Sequence, residues 1–247
     1  MSRTTPPTAV APAAVGIRPA TVADIDQITA TLADAFLDTP DARWLIPDRP
    51  ARETVYPPLC AVFADYALRH GRVDITSDGS GVAVWYPYTG TDVAPDPAEA
   101  DRRITAACGR HADRFQLLDA TFAARHPQTP HHYLAYLGVT PARQCQGIGS
   151  ALLAHHHAAL DTAGLPAYLV AVSSGSRDLY ARHGYTIHGA GPFHLPEAGP
   201  PMWPMLRSPQ PAQRPQSNRT AARVAHVAGS TGRAETISPE PDQGGFL

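Results

Sequence analysis

The residues best suited to chemistry fall in one stretch, Leu137 to Leu153, where Gln144-Cys145-Gln146-Gly147-Ile148-Gly149 separates an apolar run from a helical one. A strand, a tight loop and a helix in that order leave several backbone N–H groups unpaired at the helix N-terminus. Those donors, together with the positive end of the helix dipole, make an anion site. Gly147 and Gly149 let a phosphate approach the backbone with no Cβ in the way. Such a site suits a pyrophosphate and needs no ammonium group.

The chain offers none: its 20 basic residues are all Arg. Lys Schiff-base chemistry is therefore excluded, and so is a P-loop of the form G-x-x-x-x-G-K-S/T. A net charge of -2 argues against non-specific binding to nucleic acid. No uninterrupted apolar run has the length of a membrane span. Cys60, Cys108 and Cys145 are widely spaced, give no zinc spacing and suit a reducing cytoplasm. His155-His156-His157 lies mid-helix with its rings pointing in different directions, so no metal site is expected.

These residues must be positioned by a fold that the pattern outlines. With 43% hydrophobic residues, a sizeable single core is available. Residues 1–14 read as a disordered leader rather than a signal peptide, and 208–247 as a disordered, dispensable Pro-rich tail. Between them, Ile17–Pro19 reads as a strand. Thr21 and Asp24 form a weak capping box before a helix through Phe36. Residues 37–41 break that helix. A second helix is expected from Val55 to His70, with Pro57 and Pro58 marking its start or a kink. Arg72–Thr76 and Gly81–Tyr86 form a hairpin, 98–125 is mostly helical, and His132–Val139 is a strand on which period-two alternation puts Tyr133 and Tyr136 on opposite faces. A helix from Gly147 to Ala163 follows, then strand Ala167–Val172, helix Ser176–His183 and strands Tyr185–His188 and Met202–Arg207. The order is mixed α/β.

On these residues a family resemblance rests. The pattern V-x-P-x-x-Q/R-x-x-G-x-G/A falls on Val139, Pro141, Gln144, Gly147 and Gly149, and resembles the acetyl-CoA signature of the GCN5-related N-acetyltransferases, the GNAT superfamily. Downstream, Asp178 to Tyr185 resembles the late segment L-Y-x-x-x-G-F/Y, and Ile17–Asp24 resembles the first strand and helix. The puromycin N-acetyltransferase-like branch is similar at Ala35-Phe36, Val82–Trp85, Val139–Leu152 and Trp203-x-Met205. One departure stands out. Cys145 replaces a common Gly, and a positive φ there would cost about 1 kcal/mol.

The resemblance implies a single GNAT domain over 15–207. Its sheet is mixed but mostly antiparallel, with six to seven strands flanked by helices and a V-shaped opening between the strands before and after the cofactor helix. It implies direct acetyl transfer from acetyl-CoA to an amine. Leu137, Gly138 and Val139 would offer a backbone N–H to the thioester carbonyl. Gln144, Cys145, Gln146, Gly147, Ile148, Gly149 and Ser150 would hold the pyrophosphate, and Tyr180 would be the general acid. Ser173 and Ser176 stand where CoA contacts are common, and either could equally cap the short helix. His132 is the candidate base, by its ordinary pKa and its place on the strand before the loop.

The acceptor region collects Phe36, Asp38, Trp44, Trp85 and Tyr136, aromatics with a carboxylate that suit a small amphipathic amine. Asp41, in the same break as Asp38, is a second candidate for a cationic acceptor. The expected substrate is an amine-bearing antibiotic or natural product, with no membrane or nucleic-acid partner and a monomer or homodimer as the assembly. A protein, peptide or aminoacyl-tRNA amine is the alternative acceptor, and a non-catalytic acyl-CoA-binding module is the alternative to an enzyme.

Overall fold

A computed structural model describes residues 15–88 and 97–210. The expected leader, the loop residues 89–96 and the tail from 211 onward lie outside the described residues. Strand β1, Ile17–Pro19, leads through a 3-10 turn into α1, Ile25–Phe36. The Thr21–Asp24 box forms as expected: the Thr21 N–H donates to the Asp24 carboxylate at 2.8 Å, and Arg18 grips the same carboxylate at 2.6 and 2.9 Å.

A short helix, α2 (Pro40–Leu45), occupies the break, and α3 runs over Arg49–His70. The α3 helix thus starts six residues before the expected Val55 and carries Pro57 and Pro58 inside it. Its first turn is secured from both ends. Asp48 accepts from the Ala51 N–H at 3.0 Å, while the buried Arg52 guanidinium donates to the carbonyls of Leu37, Ile46 and Pro47 at 2.7–2.9 Å. Those tertiary bonds offset the backbone bonds that the two prolines remove.

The chain continues with β2 (Arg72–Thr76), β3 (Gly81–Tyr88), α4 (Pro97–Cys108), α5 (Ala112–Ala123) and β4 (His131–Val139). Then come α6 (Ile148–Ala163), β5 (Ala167–Ala171), α7 (Ser174–Arg182), β6 (Thr186–Ile187), β7 (Phe193–His194) and β8 (Pro201–Arg207). Helix α7 begins at Ser174 with Ser173 as its N-cap, not at Ser176. The strand order is β1-β2-β3-β4-β5-β8-β6, with β7 added to β8, so the described residues hold eight strands where six or seven were expected. The surplus is the two-residue β7, too short to leave a periodic signal.

All pairings are antiparallel except β4 with β5. That parallel pair is the two ends of a β-α-β crossover through α6, which a short turn could not make. It pairs only at His132↔Ala167 and Tyr133↔Tyr168. Beyond Tyr133 the strands part, opening the V expected between them.

The β3–β4 ladder carries the fold's most consequential irregularity. Tyr136 pairs with Val84 and Leu134 with Trp85, which leaves Ala135 as an extra residue on β4. A bulge of this kind shifts the side-chain alternation by one. Tyr133 and Tyr136 therefore pair with Tyr86 and Val84, two residues apart on β3, and share a face. This corrects the strict period-two reading. The shared face looks toward α1 and α3, where Ile28, Leu32, Leu59, Cys60 and Val84 form one core cluster. The opposite face looks toward α6 and packs Trp85, Leu134, Leu152, Leu153 and Leu169.

Candidate active site

After β4 the chain makes a 3-10 turn, Pro141–Arg143, and then the expected loop. Two Gln side chains hold it. Gln144 donates to the Val139 carbonyl at 3.0 Å, and Gln146 to the Ala142 carbonyl at 3.2 Å. Cys145 takes φ 59°, so the residue in place of the common Gly does sit in the left-handed region. Gly147 takes φ 84° as the N-cap of α6, with no side chain to satisfy the first-turn donors. Nothing lies within 4 Å of where a Cβ on Gly147 would stand. The N–H groups at the start of α6 are thus left for an anion. A pyrophosphate fits this cradle.

The loop opens into a cavity of about 880 Å³ that runs through the V between β4 and β5. Its first half is lined by Arg143, Gln144, Cys145, Gly147, Ile148, Gly149 and Ser150, with Leu137 and Val139 on β4 and Ser173, Ser176 and Arg182 around α7. Ser173 and Ser176 bond reciprocally as a capping box, each N–H 3.1 Å from the other's hydroxyl, so they line the cavity and cap α7 at once. Arg143 is paired with Asp78 at 3.1 Å. Two of the expected cofactor residues stand apart from this lining. Gly138 faces α1, where a Cβ would meet Leu32 and Ala35 at 3.2 Å, and Gln146 is exposed against Ala142. Only their backbones are placed to contribute.

Tyr180 lines the middle of the cavity, where burial pushes its phenol pKa well above the ordinary 10. Its hydroxyl has no hydrogen-bond partner among the described residues, nor do those of Tyr133 and Tyr136 beside it. Tyr136 stacks on Phe63 at 4.9 Å and meets the edge of Phe36 at 6.0 Å.

Four expected residues belong elsewhere. His132 points to the α6 face, 3.1 Å from His156, which in turn lies 3.4 Å from Asp74. Burial holds its pKa down to about 4, but the sheet separates it from the cavity. Trp85 shares that face by strand parity, is fully buried and stacks on His156 at 4.1 Å. Trp44 donates to the Pro196 carbonyl at 3.0 Å and packs as core. Asp38 is held by Arg49 at 2.6 Å and Arg52 at 3.0 Å, outside the cavity lining. Of the acceptor candidates, Phe36, Asp41 and Tyr136 do line it.

Sequence reading missed Asp101, Asp119, Tyr133 and Arg182 as lining residues. On α5, Phe115, Asp119 and Phe122 share the inner face at helical spacing, yet an acidic residue on an amphipathic helix ordinarily reads as solvated. Burial and the neighbouring Asp101 charge raise the Asp119 pKa, and burial raises that of Asp41.

Comparison with known proteins agrees with this geometry. Residues 102–187 match the family model for the acetyltransferase (GNAT) domain. A Corynebacterium glutamicum protein described as histone acetyltransferase HPA2 and related acetyltransferase is 27% identical, with 81% of this chain and 99% of that one covered at a TM-score of 0.60. Arylalkylamine N-acetyltransferase 2 from Aedes aegypti is 16% identical over 80% of this chain and all of that one (100%), with a TM-score of 0.56. The PaiA N-acetyltransferase of Thermoplasma acidophilum, solved with coenzyme A, is 10% identical over 79% and 99%, with a TM-score of 0.50. Residues 102–187 thus match a GNAT acetyltransferase domain, and the protein is an acyltransferase whose cosubstrate is acetyl-CoA. No helix among the described residues is long and apolar enough to cross a membrane.

Proposed function

We propose that this acetyl-CoA-dependent GNAT acetyltransferase, with its domain over residues 15–207, transfers the acetyl group directly to a primary amine of a small molecule such as an antibiotic or another natural product. The observation that carries the reading is the second half of the cavity. It is aromatic, with Phe36, Phe63, Tyr66, Tyr133, Tyr136 and Phe122 around it, and its charged side chains are the carboxylates Asp41, Asp101 and Asp119. A protonated amine is recognised by such groups. An RNA acceptor would call for cations on the acceptor side. The resemblance to the puromycin N-acetyltransferase-like branch supports the same substrate class, and the free thiols of Cys60, Cys108 and Cys145 suit a cytoplasmic site.

Bound acetyl-CoA supplies the activated acyl group. In this reading the N–H groups around Gly147–Ser150, with Arg182 and Gln144 nearby, hold its phosphates. Beyond Tyr133, β4 has no strand partner on its β5 side, so backbone N–H groups of Leu137–Val139 on that edge are free to polarise the thioester carbonyl. Donors aimed at a developing oxyanion contribute roughly 3–4 kcal/mol. Tyr180 gives its proton to the departing thiolate. Burial keeps that phenol protonated, as a general acid must be at neutral pH. Asp119 draws in the ammonium, which gives one proton to water to become the nucleophile; its attack on the thioester carbon breaks the C–S bond, and the second amine proton returns Tyr180 to its phenol form.

The test is a CoA-release screen over amine-bearing antibiotics, aminonucleosides and short peptides, followed by Tyr180→Phe. Because that hydroxyl has no partner among the described residues, its removal is expected to leave the melting temperature unchanged while kcat falls about 10²- to 10⁴-fold. Unchanged turnover on the best amine would remove Tyr180 from the chemistry. The description of the Corynebacterium glutamicum relative keeps a protein amine as the second reading, and turnover of peptides ahead of all small amines would favour it.

A further inference from the structure

The charge lining the cavity is one-sided. Its cations, Arg143 and Arg182, both stand at the cofactor end, and its carboxylates, Asp41, Asp101 and Asp119, all stand at the acceptor end. Elsewhere in the fold Asp24, Asp38, Asp65, Asp78 and Asp161 each meet an Arg, while the exposed Asp26, Asp34 and Asp113 stand unpaired among the described residues. The three in the cavity form no ion pair among the described residues.

Asp41 differs from the other two. Asp101 and Asp119 are exposed residues, whereas Asp41 is half-buried, its Oδ1 is shut off from solvent, and Tyr56 lies close enough to feel its charge. Thr39 and the backbone N–H groups of Asp41 and Ala42 point at the carboxylate, yet its Oδ1 is buried with no hydrogen-bond partner among the described residues. An unpartnered carboxyl oxygen in apolar surroundings is costly, and such an atom calls for a ligand donor. The rings of Tyr56 and Phe115 would add to the attraction for a cation.

We propose that Asp41 is a cation subsite at the buried end of the acceptor cavity, so that the acceptor is a compact molecule with two basic nitrogens: one acetylated beside Tyr180, the other held by Asp41. Asp101 and Asp119 attract the dication. Tyr133 and Tyr136 line the passage between the two ends. The inference rests on the small-amine reading of the same cavity and names its substrate class. It also accounts for Asp41, unlike Asp38 three residues earlier, having no Arg partner among the described residues.

The test compares α,ω-diaminoalkanes with monoamines of matched length in the full-length enzyme. For the best-fitting length, kcat/KM is expected to favour the diamine by roughly 10- to 100-fold, the range of a hydrogen bond to a charged group. Asp41→Asn keeps the shape and the contacts at α2. It is expected to erase that preference by raising the diamine KM roughly tenfold or more, with a several-fold smaller change in the monoamine KM. Asp41→Glu, one methylene longer, is expected to move the preferred diamine one methylene shorter. Equal turnover of both series by the wild type, or equal loss on both in Asp41→Asn, overturns the subsite while the acetyltransferase reading stands. If no amine consumes acetyl-CoA, that reading fails instead, and calorimetry of the two series against the wild-type enzyme with CoA then decides the subsite by itself. Should Asp41→Asn not fold, the wild-type series and Asp41→Glu carry the decision.

Discussion

Cys145→Gly is expected to stabilise the apo fold, and Gly147→Ala to destabilise it by a similar amount. Both positions sit in the left-handed region, at φ 59° and 84°, inside the same loop. An L-residue there costs about 1–2 kcal/mol. Replacing Cys145 by Gly removes that strain but returns freedom to the unfolded chain, which costs about 0.4–1 kcal/mol. Cys145 is exposed, so little packing is lost. The net gain is about 0.5–1 kcal/mol, or roughly 1–4 °C in melting temperature for a domain of this size. At Gly147 the same terms act in reverse, and no steric term joins them, since nothing lies within 4 Å of the added Cβ. Thermal unfolding of the three proteins without CoA reads both shifts. Calorimetry with CoA should show less than about a threefold change for Cys145→Gly, because the loop already has its binding shape. If Cys145→Gly melted below the wild type, or Gly147→Ala melted no lower, torsional strain would not be located where the dihedrals put it.

Two further outcomes follow from buried charge. His132 and His157 are held down by burial to pKa values of about 4 and about 3, from 6.5. The unfolded chain therefore binds more protons than the folded one below pH 6.5. Stability should fall as pH drops from about 6.5 to about 4, by up to about 1.4 kcal/mol per unit for each ring. Urea midpoints that stay flat across that window would contradict this, and His157→Gln should make the slope shallower. Arg207, 3% exposed, spans both Asp161 oxygens at 2.7 Å and donates to the His183 carbonyl at 3.1 Å. Arg207→Met leaves Asp161 uncompensated. The expected loss is roughly 2–3 kcal/mol, below the fully buried figure because Asp161 keeps 21% of its exposure. A denaturation measurement giving under about 1 kcal/mol would show that the pair contributes little.

The sequence by itself determined the anion loop, the helix that follows it and most of the element order. Glycines at 147 and 149, the capping box at Thr21–Asp24 and the hairpin turn after Thr76 act through neighbours within a few residues, so their consequences are local. Tyr180 and the V between β4 and β5 were legible through the family resemblance, carried by motifs of that same local kind. What only the tertiary structure decided depends on partners far along the chain. The extra Ala135 is visible only once β4 is paired with β3, and it alone brings Tyr133 to the same face as Tyr136. That register also sends Trp85 and His132 to the α6 side, away from the acceptor. Asp38 and Asp41 look alike in sequence, yet Arg49 and Arg52 reach one while the other has an oxygen shut off from solvent. A carboxylate's role follows from which cations approach it and how much water remains, and neither quantity is written in its immediate neighbours.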